Sequence, residues 1–165
     1  MNAASTSSVP FHAAIAHRWW RLAVYIYIPA LVLTVATSLI GWDTAVQRAA
    51  QANNVSPSEV QTSLAISLVV AVVVQSGVAF GCWWMAGKLL LGSAAARMVL
   101  SVAAVVFVIN AAATVAGVIG RSQESSTGVL SYVTAALIVI ASIVAATATV
   151  QAYRGDRNNK FFVMS

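Results

Sequence analysis

Few side chains in this sequence could do chemistry, and their neighbours limit what that chemistry can be. Gln75 stands inside TSLAISLVVAVVVQSGVAFGCWW, and Asn110 stands inside MVLSVAAVVFVINAAATVAGVI. Each is an amide surrounded by aliphatic residues. An amide offers two donors and an accepting oxygen, so such a group can hold a neutral solute or bond to a second amide. His12 and His17 lie five residues apart before the first apolar run. Imidazoles can ligate metal or haem, but haem held between apolar helices needs axial histidines within those helices. Cys82 is the single cysteine, which leaves no intramolecular disulfide and no paired thiolate for a metal. No HExxH, GxSxG, phosphate-binding loop or paired-carboxylate pattern occurs. The chain is therefore read as non-enzymatic, with no cofactor, no metal and no catalytic residue.

The setting of the two amides follows from composition. The 165 residues are 60% hydrophobic and only 8% charged, and the mean hydropathy is +0.86. A water-soluble domain carries about 25% charged residues. So large a deficit cannot be hidden in a small protein, whose surface is large relative to its core. The solvent for most of this chain is lipid. The net charge of +5 is not a nucleic-acid footprint, because the basic residues sit in short clusters beside apolar runs.

Four runs are long enough to cross a hydrocarbon layer of about 30 Å as helices, which takes about 20 residues each. They fall near residues 22–40, 62–86, 98–119 and 129–150. Backbone amides in lipid must be satisfied within their own segment, and the runs lack the alternation of a barrel strand. The expected fold is all-α, a four-helix transmembrane bundle. Residues 1–10 are expected to be a disordered tail, 11–153 the membrane domain, and 154–165 a cytoplasmic tail.

Charge gives a direction. Arg18, Arg21, Lys88, Arg97, Arg154, Arg157 and Lys160 fall on one side, and three of the four acids, Asp43, Glu59 and Glu124, fall on the other. Basic flanks stay inside, so both termini are expected in the cytoplasm. Trp19, Trp20, Trp83, Trp84 and Tyr153 then mark the inner interface, and Trp42 and Tyr132 the outer one.

Local signals fill in the connections. Phe11, Ile15 and Trp19 share a helical face, which fits either an interfacial helix or an extension of the first span. In the first outer loop Asp43 can cap a short helix ending near Asn53 and Asn54. The following SPSE reads as a capping box, with Ser56 at the cap, Pro57 in the first helical position and Glu59 three residues on. Pro29 cannot donate to the Tyr25 carbonyl, so a kink is expected there. The loop GKLLLGSAAAR is tight and predicts antiparallel neighbours.

Inside the spans, Gln75 and Asn110 lie at similar depth on neighbouring helices. They are expected to bond to each other, with a worth of about 0.6–2 kcal/mol. Gly77 and Gly81 form a GxxxG pair, and Ala113 and Gly117 repeat the small spacing. Ser142, Ala145, Ala146 and Thr149 form a similar surface. Such stripes let helices approach closely, within the chain or against another subunit. In the tail, Phe161 and Phe162 among basic residues can re-enter the interface or serve as a contact for a partner.

The stretches GKLLLGSAAARMVLSVAAVV, NVSPSEVQ and YRGDRNNKFF resemble a group of small four-span integral membrane proteins of actinobacteria. The short inner loop with Gly92 and Arg97, leading directly into an aliphatic third span, is one feature of the likeness. Ala96 stands where that group often has tryptophan. The resemblance implies the four-span architecture and a bacterial plasma membrane, and it implies no activity. The expected function is that of an accessory or stabilising subunit of a larger membrane complex, respiratory complexes among them. The alternative is a small oligomeric channel or transporter for a neutral or lipid-like solute. Lipid and other membrane subunits, or further copies of the chain, are the expected partners; nucleic acid is not.

Overall fold

The computed structural model describes residues 11–120 and 128–154. The expected disordered tail, the second outer loop and the contact residues Phe161 and Phe162 lie outside these. The described residues form five helices: α1 (Phe11–Ile40), α2 (Trp42–Asn53), α3 (Pro57–Leu89), α4 (Ala94–Gly120) and α5 (Gly128–Arg154). Helices α1, α3, α4 and α5 are each long and apolar enough to cross a membrane. They are the four expected spans, and the short helix expected in the first loop is α2.

The four long helices stand in a ring. Helix α1 packs most extensively against α5, then α5 against α4, α1 against α3, and α3 against α4. Neighbours run antiparallel. Along α1 and α3, His17 meets Ala86 and Tyr27 meets Gln75. Along α4 and α5, Ser101 meets Tyr153 and Phe107 meets Ser142. This places the start of α1, the end of α3, the start of α4 and the end of α5 at one end of the bundle. All the described basic residues except Arg48 lie there, so we call it the basic end.

Sequence periodicity explains which faces turn inward. On α1, Ala13, Ala16, Trp20, Ala23, Val24, Tyr27 and Ala30 are buried, at the spacing of one helical face. Alanine supplies most of the buried apolar positions, while Ile66, Val69, Val73, Val102, Ile109 and Ile143 are exposed. A water-soluble core is built the other way round. In lipid a large side chain gains nothing by leaving the acyl tails, and close approach of backbones depends on small residues. This distribution is what lipid contact requires.

Helix α1 runs unbroken from Phe11, so its first turns extend the first span. Pro29 lies within it on the exposed side. Two expected caps differ. Gly41, not Asp43, precedes α2, and Asp43 sits in the first turn, where its charge complements the helix dipole. Ser56 and Pro57 take the expected positions at the start of α3, but the Ser56 hydroxyl pairs with that of Ser58 at 3.2 Å and makes no cap bond. Asn54 closes α2 in the left-handed conformation, φ 53°. Helix α2 then lays Val46 and Ala50 against Val60, with Trp42 and Leu64 beside them.

The turn between α3 and α4 is built around Gly92, whose φ is 73°. The Ser93 amide donates to the Lys88 carbonyl at 3.3 Å and the Gly92 amide to that of Leu89 at 3.2 Å, the pair of bonds of a Schellman turn. The Ser93 hydroxyl then accepts from the Ala96 amide at 3.3 Å and so caps α4.

Candidate functional site

The centre of the bundle is aromatic. Phe107 of α4 reaches across the ring to α1, edge-on to Trp20 at 6.3 Å and tilted against Tyr27 at 4.7 Å. These three buried side chains fill the space between opposite helices, where the flanking positions are alanine. Tyr27 also carries a polar contact: its hydroxyl donates to Gln75 Oε1 at 3.3 Å. That length is beyond the usual O–H···O range and marks a weak bond.

The expected bond between Gln75 and Asn110 does not form. Residue counting places both amides at similar depth, but depth says nothing about direction around the helix. Gln75 turns toward α1, the helix against which α3 packs better. Asn110 is half-buried on α4. Its carbonyl accepts from the Thr114 hydroxyl at 2.8 Å, and its side-chain amide makes no hydrogen bond among the described residues.

Among the polar ties that were not foreseen, two involve Ser142 and His17. The buried Ser142 hydroxyl reaches the Phe107 carbonyl at 2.9 Å and the Ile138 carbonyl at 2.8 Å, linking α5 to α4. In the sequence Ser142 counts only as a small residue; the signal missed was a hydroxyl in an otherwise aliphatic run. The second tie is His17, whose Nδ1 lies 2.8 Å from the Ala86 carbonyl. A carbonyl only accepts, so Nδ1 carries the proton. Ala86 is available because the Leu90 amide bonds to Gly87 and Lys88 instead. His17 therefore caps the end of α3, where the helix dipole favours a donor.

The aromatic residues of the basic end divide. Trp19, Trp83, Trp84 and Tyr153 are exposed, as interface residues should be, but Trp20 is completely buried. Adjacent residues point about 100° apart around a helix, so Trp19 and Trp20 cannot share a surface. The Trp20 Nε1 has no acceptor among the described residues. Arg21 lies over the Trp83 ring at 5.2 Å, and Arg97 over the Tyr153 ring at 4.6 Å.

The small-residue stripes also divide. Ala141, Ala145 and Ala148 of α5 are fully buried in the main core. A side-chain carbon added at Gly77, Gly81 or Gly117 would meet nothing within 4 Å, and Ala113 is exposed. Gly77, Ala113 and Gly117 are exposed and Gly81 is half-buried, and a side chain added at any of the three glycines would point away from the other helices of the chain. The same imbalance shows along whole helices. In the most apolar stretch, 39% of α5 is buried but only 6% of α3. Between α4 and α5 an open, almost purely apolar groove is floored by Ala111, Ala112, Ala116 and Ala146.

Helices of this length, with alanine inside and large aliphatics outside, define a multi-pass helical membrane protein in contact with lipid. The chain matches no family model, no curated protein and no solved structure.

Proposed function

We propose that this protein is a non-enzymatic accessory or stabilising subunit that packs beside other membrane proteins, in a bacterial plasma membrane, with both termini in the cytoplasm. The likeness to small four-span actinobacterial membrane proteins belongs to the same proposal, and a respiratory assembly is one host of this kind. The observation that carries it is the open face of Gly77 and Gly81. Glycine within a helix costs about 0.5–1 kcal/mol relative to alanine. Two glycines on a face that meets nothing in this chain give no internal return for that cost, whereas a helix of a second protein would use the flat surface they leave. The Tyr27–Gln75 bond supports a structural role for Gln75.

The test pairs stability with association. Gly77→Ala and Gly81→Ala should each leave the isolated protein as stable or more stable, by up to about 1 kcal/mol. Gly77→Ile with Gly81→Ile should retain helicity yet lose the proteins that co-purify in mild detergent, as identified by mass spectrometry. Recovery of the wild-type chain only as a lone monomer would overturn the reading.

A second reading, a small oligomeric channel or transporter for a neutral or lipid-like solute, draws on Asn110. Its half-buried amide is left without a protein partner among the described residues. Under that reading Asn110→Leu abolishes flux in proteoliposomes and leaves partner recovery intact.

A further inference from the structure

At the basic end, α1 and α3 are held together by the His17–Ala86 bond at 2.8 Å. One turn deeper, the Arg21 guanidinium lies over the Trp83 ring at 5.2 Å. Arg21 is half-buried, and its Nε is shielded from solvent with no acceptor among the described residues. The described carboxylates, Asp43 and Glu59, stand at the other end of the bundle, in the first turns of α2 and α3. Arg21 therefore has no ion pair among the described residues.

A guanidinium stays charged at any ordinary pH, and a charge drawn partly out of water calls for a counter-charge. The contact with the Trp83 ring face is a cation–π contact and uses none of the N–H donors. Those donors form a planar fork, which matches two oxygens of a phosphate. Arg18, one turn back on α1, is exposed and adds positive charge. The neighbouring surface is apolar. Phe80 stacks on Trp83 at 6.3 Å, and Phe80 and Leu22 are exposed.

We propose that this junction of α1 and α3 binds the phosphodiester headgroup of an anionic phospholipid. Arg21 takes two phosphate oxygens, Arg18 supplies further charge, and the acyl chains lie along Phe80, Trp83 and Leu22. The apolar platform directly beside the cations favours a lipid over a free anion. The absence of a described carboxylate there favours an anionic headgroup over choline. The proposal is independent of the subunit reading and of which leaflet the basic end occupies.

The test uses the full chain in bilayer nanodiscs of phosphatidylcholine with a minor fraction of phosphatidylglycerol, with retained lipid read by native mass spectrometry. A second readout is quenching of tryptophan fluorescence by brominated phosphatidylglycerol against brominated phosphatidylcholine. Wild type should retain phosphatidylglycerol in excess of its bulk share. Arg21→Gln should reduce that excess about tenfold, the size expected for one charge-assisted pair. Arg21→Lys, which keeps the charge but loses the fork, should fall between them. Arg154→Gln, at the same end on α5, should leave the excess unchanged. Should Arg21→Gln not fold, Arg18→Gln serves in its place and should lower the excess several-fold. The proposal is overturned by an absence of excess in wild type, by an unchanged excess in Arg21→Gln or in the Arg18→Gln variant that stands in for it, by an equal loss in Arg154→Gln, or by displacement of the lipid by inorganic phosphate.

Discussion

The Tyr27 hydroxyl and the Gln75 oxygen meet at 3.3 Å, a polar contact between α1 and α3 well inside the membrane-spanning stretch, away from the His17–Ala86 bond at the basic end. Such bonds within membranes average about 0.6 kcal/mol, because the separated helices also find partners for their polar groups. Tyr27→Phe and Gln75→Leu should each cost about that much, and the double change little more than either single one. Gln75→Leu with Asn110→Leu should instead be additive, since those side chains share no bond. A double-mutant cycle on unfolding free energies in mixed micelles checks both. The sequence made plain that Gln75 needs a partner, because an amide among aliphatics has few other uses. Which partner it takes was not legible, since that depends on the rotation of α3 against α1, set by the sum of their contacts. Trp20 has the same history. Its ring belongs by type to the interface and by rotation to the core, where its volume is what Phe107 and Tyr27 pack against.

Among the elements, the turn from α3 to α4 depends most on one residue. Gly92, at φ 73°, accommodates a conformation that costs other residues roughly 1–2 kcal/mol. Gly92→Ala should lower stability by about that amount with little change in helix content, as thermal unfolding followed by circular dichroism would show. The long helices were legible because the width of a bilayer sets a minimum length, and the charged ends mark where each run stops. Their true extents are greater. Helix α3 begins at Pro57 and α1 at Phe11, because a helix does not end where the hydrocarbon does. The caps were legible as positions more than as bonds. Ser56 stands where an N-cap should, yet its hydroxyl turns to Ser58. The stripes could be found by spacing, but spacing did not separate the α5 alanines that pack inside from the α3 glycines that face out. That distinction depends on which helices are neighbours.

For the molecule as a whole, the proposed direction of insertion has its own check. A reporter active only in the cytoplasm should be active when fused to either terminus, and inactive when placed in the loop before Pro57. The opposite pattern would reverse the orientation and leave the bundle as described. The alanine-filled interior has a further consequence. Heat capacity rises on unfolding because apolar surface becomes wet, by about 12–15 cal/mol/K per residue in water-soluble domains. When these helices part within a bilayer, the alanine faces meet acyl chains and very little meets water. The enthalpy of that separation should then be nearly constant with temperature. The bundle should show no weakening on cooling, because the solvent term that fades in the cold for soluble proteins contributes little to holding these helices together.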